Sequence, residues 1–115
     1  MKLYIDDIRK QPKTWTLAQT ISEAVNLIEH YGDSITHISF DHDISIPVKV
    51  KGEWYNRPSP DTFQVVAKYC KQYYKDTHPI YTTHSSNPDG RRTIVNILGE
   101  CTETPAEQAF RKHET

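Results

Sequence analysis

Acidic side chains and a histidine directly follow two apolar runs of the sequence. The stretch LYIDDIR carries Asp6 and Asp7, and the stretch ISFDHDIS carries Asp41, His42 and Asp43. Ionised carboxylates brought close together repel one another, so such a cluster needs protons or a bound cation. Carboxylate oxygens favour magnesium, calcium or manganese, and added imidazoles shift the preference towards manganese, zinc or iron. The expected cofactor is a divalent metal, with magnesium or manganese favoured over zinc or iron.

A third stretch, THSSNPDGRR, offers groups that suit a phosphate. It carries His84, Ser85, Asn87 and Arg91 behind the apolar run PIYTT, and Arg9 stands beside the first acidic pair. A helix that begins near Asn87 would direct its first N–H groups, with nearby serine and arginine side chains, towards an anion. Metal-binding acids beside such a phosphate cradle favour phosphoryl or phosphodiester chemistry over acyl transfer.

Each of these motifs also has a purely structural interpretation. An Asp-Asp pair after a strand often forms only a turn with local hydrogen bonds, and a lone histidine is usually a satisfied surface or core residue. Arg91 and Arg92 could simply be solvated. Three separate strands that all end in such residues favour a functional site over these alternatives.

The composition is that of a globular protein with no strong overall charge. The chain has 115 residues, of which 36% are hydrophobic and 25% charged, and its net charge is -1. These values fit a single domain over residues 1–115. They argue against general nucleic-acid binding and against membrane attachment, so any anion site must be local. No apolar run has membrane-spanning length and no signal peptide is visible, so we expect a cytoplasmic protein. We also expect Cys70 to be buried rather than in a disulfide.

Strands and helices alternate along most of the chain. Apolar runs predict strands in KLYID, WTLAQ, ITHISFD and PIYTT. Capping residues predict helix starts at four positions: Thr20, Ser59, Asn87 and Thr104. This order predicts a parallel sheet with helices on both faces, whose ligand site lies beyond the carboxyl ends of the strands. Asp6, Asp41 and His84 would then meet in one crevice.

Residues 44–58 form an irregular stretch immediately after the Asp-His-Asp cluster. The sequence VKVKGEWYN alternates apolar and polar residues around a Lys-Gly pair, as a small hairpin does. Such a hairpin could fold over the crevice as a lid, where Trp54 and Tyr55 would stack on a base and Arg57 would contact a phosphate. Alternatively, it is an edge hairpin whose aromatic side chains pack on the adjacent helix.

The stretches LYIDDIRKQP, ISFDHDIS and THSSNPDGRRTI, in this order, resemble the cyclic-phosphate processing receiver-like domains. These domains are compact relatives of the response-regulator receiver fold, and the resemblance covers residues 2–98. It implies a single flavodoxin-like or receiver-like α/β domain, with a parallel sheet flanked by helices. It also implies a role in processing cyclic phosphate ends or cyclic nucleotides. Asp6 and Asp7 match the acidic pair of the family, and Asp41 matches its strand-end aspartate.

Two features of the sequence depart from the family pattern. The segment ISIPVKVKGEWYNRPSPD replaces the usual loop after the Asp-His-Asp motif and keeps only Asp61 in a comparable place. A receiver needs a lysine at the end of its fifth strand to contact the phosphoryl group. After Gly99, the first lysine of this chain is Lys112. Substrate choice is therefore the least transferable property, and phosphoacceptor signalling is disfavoured.

The leading hypothesis is a metal-dependent phosphoesterase that hydrolyses a cyclic phosphate. The substrate would be a 2′,3′-cyclic phosphate RNA end, a cyclic nucleotide or a cyclic dinucleotide. The metal would be held by four carboxylates: Asp6, Asp7, Asp41 and Asp43. His42 and His84 would act as general base and general acid, in either order. Ser85 and Arg91 would hold the non-bridging phosphate oxygens.

Two other classes of function stay open on the sequence alone. The chain could be a module that binds and sequesters a cyclic nucleotide, using the aromatic and arginine side chains and needing the acids little. It could also be a degenerate receiver that serves as a protein-interaction domain and tolerates the loss of both histidines.

Overall fold

A parallel sheet of four strands forms the centre of the computed structural model, which describes residues 1–99. In chain order, the strands of this sheet and of a separate hairpin, β4 and β5, are β1 Lys2–Ile5, β2 Thr16–Ala18, β3 His37–Phe40, β4 Ser45–Val50, β5 Glu53–Pro58 and β6 Ile80–Thr83. The sheet has the order β2-β1-β3-β6, and every neighbouring pair is parallel. This is the strand order of a doubly wound fold, in which ligands bind beyond the carboxyl ends of the strands. The predicted receiver-like α/β fold is confirmed.

Within residues 1–99, three α-helices accompany this sheet. They are α1 Ile21–Tyr31, α2 Gln64–Tyr73 and α3 Pro88–Leu98, and a short 3-10 helix, Gly32–Ser34, follows α1. Thr20 and Asn87 cap α1 and α3 as predicted, because each side-chain oxygen accepts a hydrogen bond of 3.1 Å from the backbone N–H of the residue three positions later. Within residues 1–99, the longest helices fall short of the length and apolar character that a membrane span requires.

The predicted start of α2 at Ser59 is wrong. The helix begins at Gln64, and its N-cap residue Phe63 makes no capping bond with its side chain. The Ser59 hydroxyl instead accepts a hydrogen bond of 3.1 Å from the N–H of Asp61. The N–H of Phe63 donates to the carbonyl of His42 at 2.9 Å. The segment before α2 is therefore attached by hydrogen bonds to the residues that follow β3.

The hydrophobic core lies between one face of the sheet and the three helices. Alternate strand residues face it. Those that are buried there include Leu3, Ile5, Ile38, Phe40 and Tyr81. α2 packs between α1 and α3, and all three contribute to this core, so the helices of residues 1–99 line one face of the sheet and the predicted helix on the other face is not among them. Cys70 is buried on α2 as predicted, and burial raises the pKa of its thiol to about 12. The helix predicted at Thr104, and Cys101, lie outside the described residues.

The predicted hairpin is present as β4 and β5, which pair antiparallel. Lys51 and Gly52 connect the strands with φ of 53° and 82°. Two successive positive φ angles are the signature of a type I′ turn, the tightest hairpin connection compatible with strand twist. Among the elements of residues 1–99, the two strands pack extensively only against each other. The hairpin therefore stands out from the α/β body.

Candidate functional site

Asp6, Asp41 and His84 form a row at the carboxyl ends of three neighbouring strands, and we call them the strand-end cluster. The backbone N–H of Asp41 donates to Ile5 and that of His84 donates to Phe40, both at 2.9 Å. These bonds extend the ladders of β1, β3 and β6 by one residue, so the three residues are in register. Because side chains alternate along a strand, the row lies on the face opposite the helical core.

Asp6 is almost completely buried, with 1% of its surface exposed. Its Oδ2 lies 3.0 Å from Nε2 of His84, and its Oδ1 accepts hydrogen bonds from the N–H groups of Ile8 and Arg9 at 2.9 and 2.8 Å. Burial acts to raise the pKa of this carboxyl. The bonds from His84 and the two N–H groups outweigh burial, so the pKa is lowered and Asp6 is held as a carboxylate.

His84 is buried beneath this carboxylate and has both ring nitrogens engaged. Its Nδ1 lies 2.8 Å from the hydroxyl oxygen of Ser39, opposite the Nε2 contact with Asp6. The imidazole stacks on the ring of Tyr4, with centroids 4.0 Å apart and planes 11° from parallel. Because a carboxylate only accepts hydrogen bonds, Nε2 is the donor to Asp6, and Nδ1 pairs with the Ser39 hydroxyl. His84 thereby orients the Asp6 carboxylate, and it does not line the pocket described next.

An open pocket of about 260 Å³ lies above the strand ends, and we call it the acidic pocket. It is lined by Asp6, Asp7, Ile8, Arg9, Asp41, Asp43, Ser45 and Ser86. Carboxylate oxygens of Asp6, Asp7 and Asp41 lie within 4.8 Å of one another. Asp7 is fixed from the hairpin side, since its Oδ2 accepts a hydrogen bond of 2.6 Å from the N–H of Ser45.

The pKa of Asp41 is raised above its ordinary value by burial and by repulsion within this pocket. Burial raises it first, and the nearby charge of Asp6 raises it further. A hydrogen bond from the N–H of His42 to Asp41 Oδ1, at 2.8 Å, offsets only part of this rise. A cation among the carboxylates would remove the repulsion. Three clustered oxygen donors have the chemistry of a site for a hard divalent ion such as magnesium or manganese.

His42 and Asp43 occupy the rim of the pocket. His42 Nδ1 lies 2.8 Å from Asp43 Oδ1, and Asn87 Nδ2 donates to the same oxygen at 3.2 Å. The imidazole turns away from the pocket towards α2 and α3, where its Nε2 lies 3.4 Å from Gln64 Oε1. A Cβ at Gly90 would lie only 2.4 Å from Cγ of His42, so only glycine fits beside the ring. His42 and Asn87 together hold the exposed Asp43 carboxylate.

A family model described as the cyclic-phosphate processing receiver domain matches residues 1–100. The chain belongs to this family. A search of curated proteins and a search of solved structures both return no significant match. The family assignment agrees with the resemblance of the three sequence motifs. Those motifs are the segments that build the acidic pocket and its rim in this receiver domain.

The residues predicted to cradle a phosphate have mainly structural contacts in the receiver domain. Ser85 is buried, and its hydroxyl oxygen accepts a hydrogen bond of 3.2 Å from the N–H of Asn87. Arg91 donates from Nη1 to the carbonyl of Ser85 at 3.0 Å. Arg9 donates in the same way to the carbonyl of His84 at 2.9 Å, but it also lines the acidic pocket. Of these predicted phosphate ligands, only Arg9 borders the pocket.

The structure does not bring the predicted lid residues to the acidic pocket. Trp54 and Tyr55 are 68% and 51% exposed, and Arg57 is exposed as well. None of the three lines the pocket. At these exposures the aromatic rings are not buried against the adjacent helix either, which was the alternative to a lid. The hairpin does, however, contribute Ser45 to the pocket.

Several residues of the site were not predicted from the sequence. Ser39 and Tyr4 surround His84, Ser45 holds Asp7 through its backbone, and Gly90 makes room for His42. Ser39 did carry a signal, because a hydroxyl inside an otherwise apolar buried strand needs a hydrogen-bond partner. The N–H of Ser45 carried none, because a backbone group has no residue type.

Proposed function

We propose that the chain is a divalent-metal-dependent phosphoesterase that opens a cyclic phosphate. One observation carries the proposal: oxygens of Asp6, Asp7 and Asp41 lie within 4.8 Å of one another at an open pocket. Membership of a cyclic-phosphate processing family adds the class of substrate. Both a 2′,3′-cyclic phosphate RNA end and a cyclic nucleotide or dinucleotide suit this chemistry.

Asp6, Asp7 and Asp41 would hold the metal. When bound there, magnesium or manganese would polarise the phosphate and lower the pKa of a coordinated water. The orientation of both histidines supports these two ions over zinc or iron, since neither imidazole lines the acidic pocket. His84 would act on the metal site through Asp6, whose carboxylate it fixes by a hydrogen bond.

Asp43 is the carboxylate best placed for proton transfer. Its side chain is 60% exposed at the pocket rim, and His42 and Asn87 hold one of its oxygens. In ring opening, water adds to phosphorus, one P–O bond to the ribose breaks and a phosphomonoester forms. Asp43 would accept the proton of the attacking water, and the departing ribose oxygen would take up a proton from solvent and leave as a hydroxyl. Arg9, which lines the pocket, would place its positive charge beside the phosphate. His42 becomes a positioning residue in this scheme.

A second candidate is a module that binds a cyclic nucleotide without hydrolysing it. The placement of the histidines favours it, since neither of the imidazoles predicted as acid and base lines the acidic pocket. This candidate differs from the phosphoesterase in one measurable respect, because it predicts a complex with no ring-opened product. A receiver domain that only contacts other proteins would show neither binding nor product.

The test is to incubate the purified chain with a panel of cyclic phosphates and to follow ring opening by phosphorus NMR. The panel holds a 2′,3′-cyclic mononucleotide, a 3′,5′-cyclic mononucleotide, a cyclic dinucleotide and a short RNA with a 2′,3′-cyclic end. Magnesium, manganese and EDTA are compared. Asp43→Asn should reduce turnover about 10²–10⁴-fold. Asp33→Asn, in the 3-10 helix outside the acidic pocket, should leave turnover unchanged. No product from any substrate with either metal would refute the phosphoesterase.

A further inference from the structure

The hairpin β4–β5 begins at the acidic pocket and leads away from it. Ser45, its first residue, lines the pocket and donates its N–H to Asp7. The N–H of Ser59 donates to the carbonyl of Ile44 at 2.8 Å and closes the base of the hairpin. Each strand has six residues, so the hairpin is about 20 Å long at the usual rise of a strand.

The hairpin differs in charge from the rest of the chain. Residues 45–58 contain three basic side chains, Lys49, Lys51 and Arg57, and one acidic side chain, Glu53. The hairpin therefore carries +2 in a chain of net charge -1, which leaves -3 for all other residues. A local basic surface of this kind attracts a polyanion that the acidic body alone would repel.

Each face of the hairpin carries an aromatic ring and a cation. Lys49 and Trp54 are cross-strand partners on one face, and Lys49 Nζ lies 5.8 Å from the centroid of the indole. Tyr55 and Arg57, two residues apart on β5, lie on the opposite face. Exposed rings that accept stacked bases, beside cations that contact phosphates, are the two elements of single-strand recognition.

We infer that the hairpin β4–β5 is a binding arm for single-stranded nucleic acid. Trp54 pairs with Lys49, four residues beyond Ser45, so the indole lies about 13 Å along the strand from the pocket. A mononucleotide held by its phosphate in the pocket would leave the distal half of the arm uncovered, whereas a strand would cover it. The inference goes beyond the proposed function, because the arm binds through residues that take no part in ring opening.

The test uses a fluorescent 12-nucleotide single-stranded RNA with an ordinary 3′-hydroxyl end, so it does not depend on hydrolysis. Fluorescence anisotropy at low salt should show binding. Trp54→Ala should weaken the affinity roughly 5–150-fold, and Tyr55→Ala should act in the same direction. The pair Lys49→Ala and Arg57→Ala should reduce the slope of log affinity against log salt by about 0.7 for each phosphate that the protein no longer neutralises.

Matched controls are Tyr31→Ala and Lys68→Ala, which remove an exposed aromatic ring and an exposed lysine from the helices. Both should leave RNA binding unchanged, and thermal melts should show that every variant is folded. Absence of binding at low salt, or equal affinity of wild type and Trp54→Ala, would overturn the inference. So would light scattering that finds a dimer which Trp54→Ala dissociates, together with no RNA binding, since the arm would then join two copies of the chain.

Discussion

The strand-end cluster and the hairpin meet at the acidic pocket, yet they are held in opposite ways. The cluster continues the ladder of a buried sheet, and Asp6 and His84 are 1% and 2% exposed. The hairpin is held by its own ladder, and Trp54 is 68% exposed. Neither Asp6 nor His84 can be removed without leaving its buried partner unsatisfied. In the second region, removal changes only what the surface can bind. Stability and binding should therefore separate between the two regions.

The largest effect on stability is expected for His84→Ala. The change removes the buried partner of the Asp6 carboxylate and of the Ser39 hydroxyl, and it also removes the ring stacked on Tyr4. Removing the partner of a buried charged group typically costs about 3–5 kcal/mol, because the charge is left uncompensated. Urea unfolding should show a loss of that size, whereas His30→Ala, on an exposed position of α1, should cost about 0.5 kcal/mol or less. A loss for His84→Ala as small as the control would contradict the buried pair.

Gly90→Ala should be the next largest, with a loss of about 1–3 kcal/mol. The added methyl group would meet the ring of His42 at 2.4 Å. In the background of His42→Gly both the ring and its Cβ, which would lie 2.6 Å from the added methyl group, are gone, and alanine favours the helix over glycine by about 1 kcal/mol. Gly90→Ala should then stabilise the protein. Urea unfolding of the single and double variants measures the change of sign, and a loss that is the same in both backgrounds would exclude the contact with His42.

Asp41→Asn should have a smaller effect, and in the opposite direction. Burial and the charge of Asp6 raise the pKa of Asp41, so its ionised form opposes folding above that pKa. In metal-free protein at neutral pH, Asp41→Asn should therefore raise the free energy of unfolding. The gain should shrink as the pH falls through the raised pKa and vanish below the unfolded value of 3.8. Urea unfolding at several pH values, with EDTA present, tests this, and a destabilised variant at neutral pH would contradict it.

The smallest effect on stability is expected at the hairpin. Trp54→Ala removes a side chain that is mostly exposed, so the free energy of unfolding should change by no more than about 0.5 kcal/mol. The same variant should lose RNA affinity, which separates binding from folding. A loss of stability close to that of His84→Ala would show that the indole is packed in solution.

The sequence predicted where the site lies better than it predicted how the site is arranged. Asp6, Asp41 and His84 each end a strand, and parallel strands bring their carboxyl ends to one edge, so their proximity followed from the strand pattern. The direction of each imidazole did not follow. It depends on Ser39 and Tyr4, which come beside His84 only through the register of three strands.

The hairpin shows the same limit of sequence reasoning. Alternation around the Lys-Gly pair predicted β4 and β5, because two-residue turns with positive φ fix a local structure. The orientation of the hairpin relative to the sheet depends instead on contacts around Ser45 and Ser59, which are backbone hydrogen bonds. Backbone groups are the same in every residue, so the pattern of residue types did not predict that Trp54 and Tyr55 would lie outside the pocket.

The central claim is that the strand-end carboxylates hold a divalent cation. Titration calorimetry of Mn²⁺ into the protein tests it most directly. Wild type and Asp33→Asn should each bind one ion per chain, and Asp41→Asn should bind it at least about 10-fold more weakly because one of three clustered carboxylates is lost. Binding that is equally tight in wild type and Asp41→Asn, or no binding in wild type, would show that the carboxylates are not a metal site.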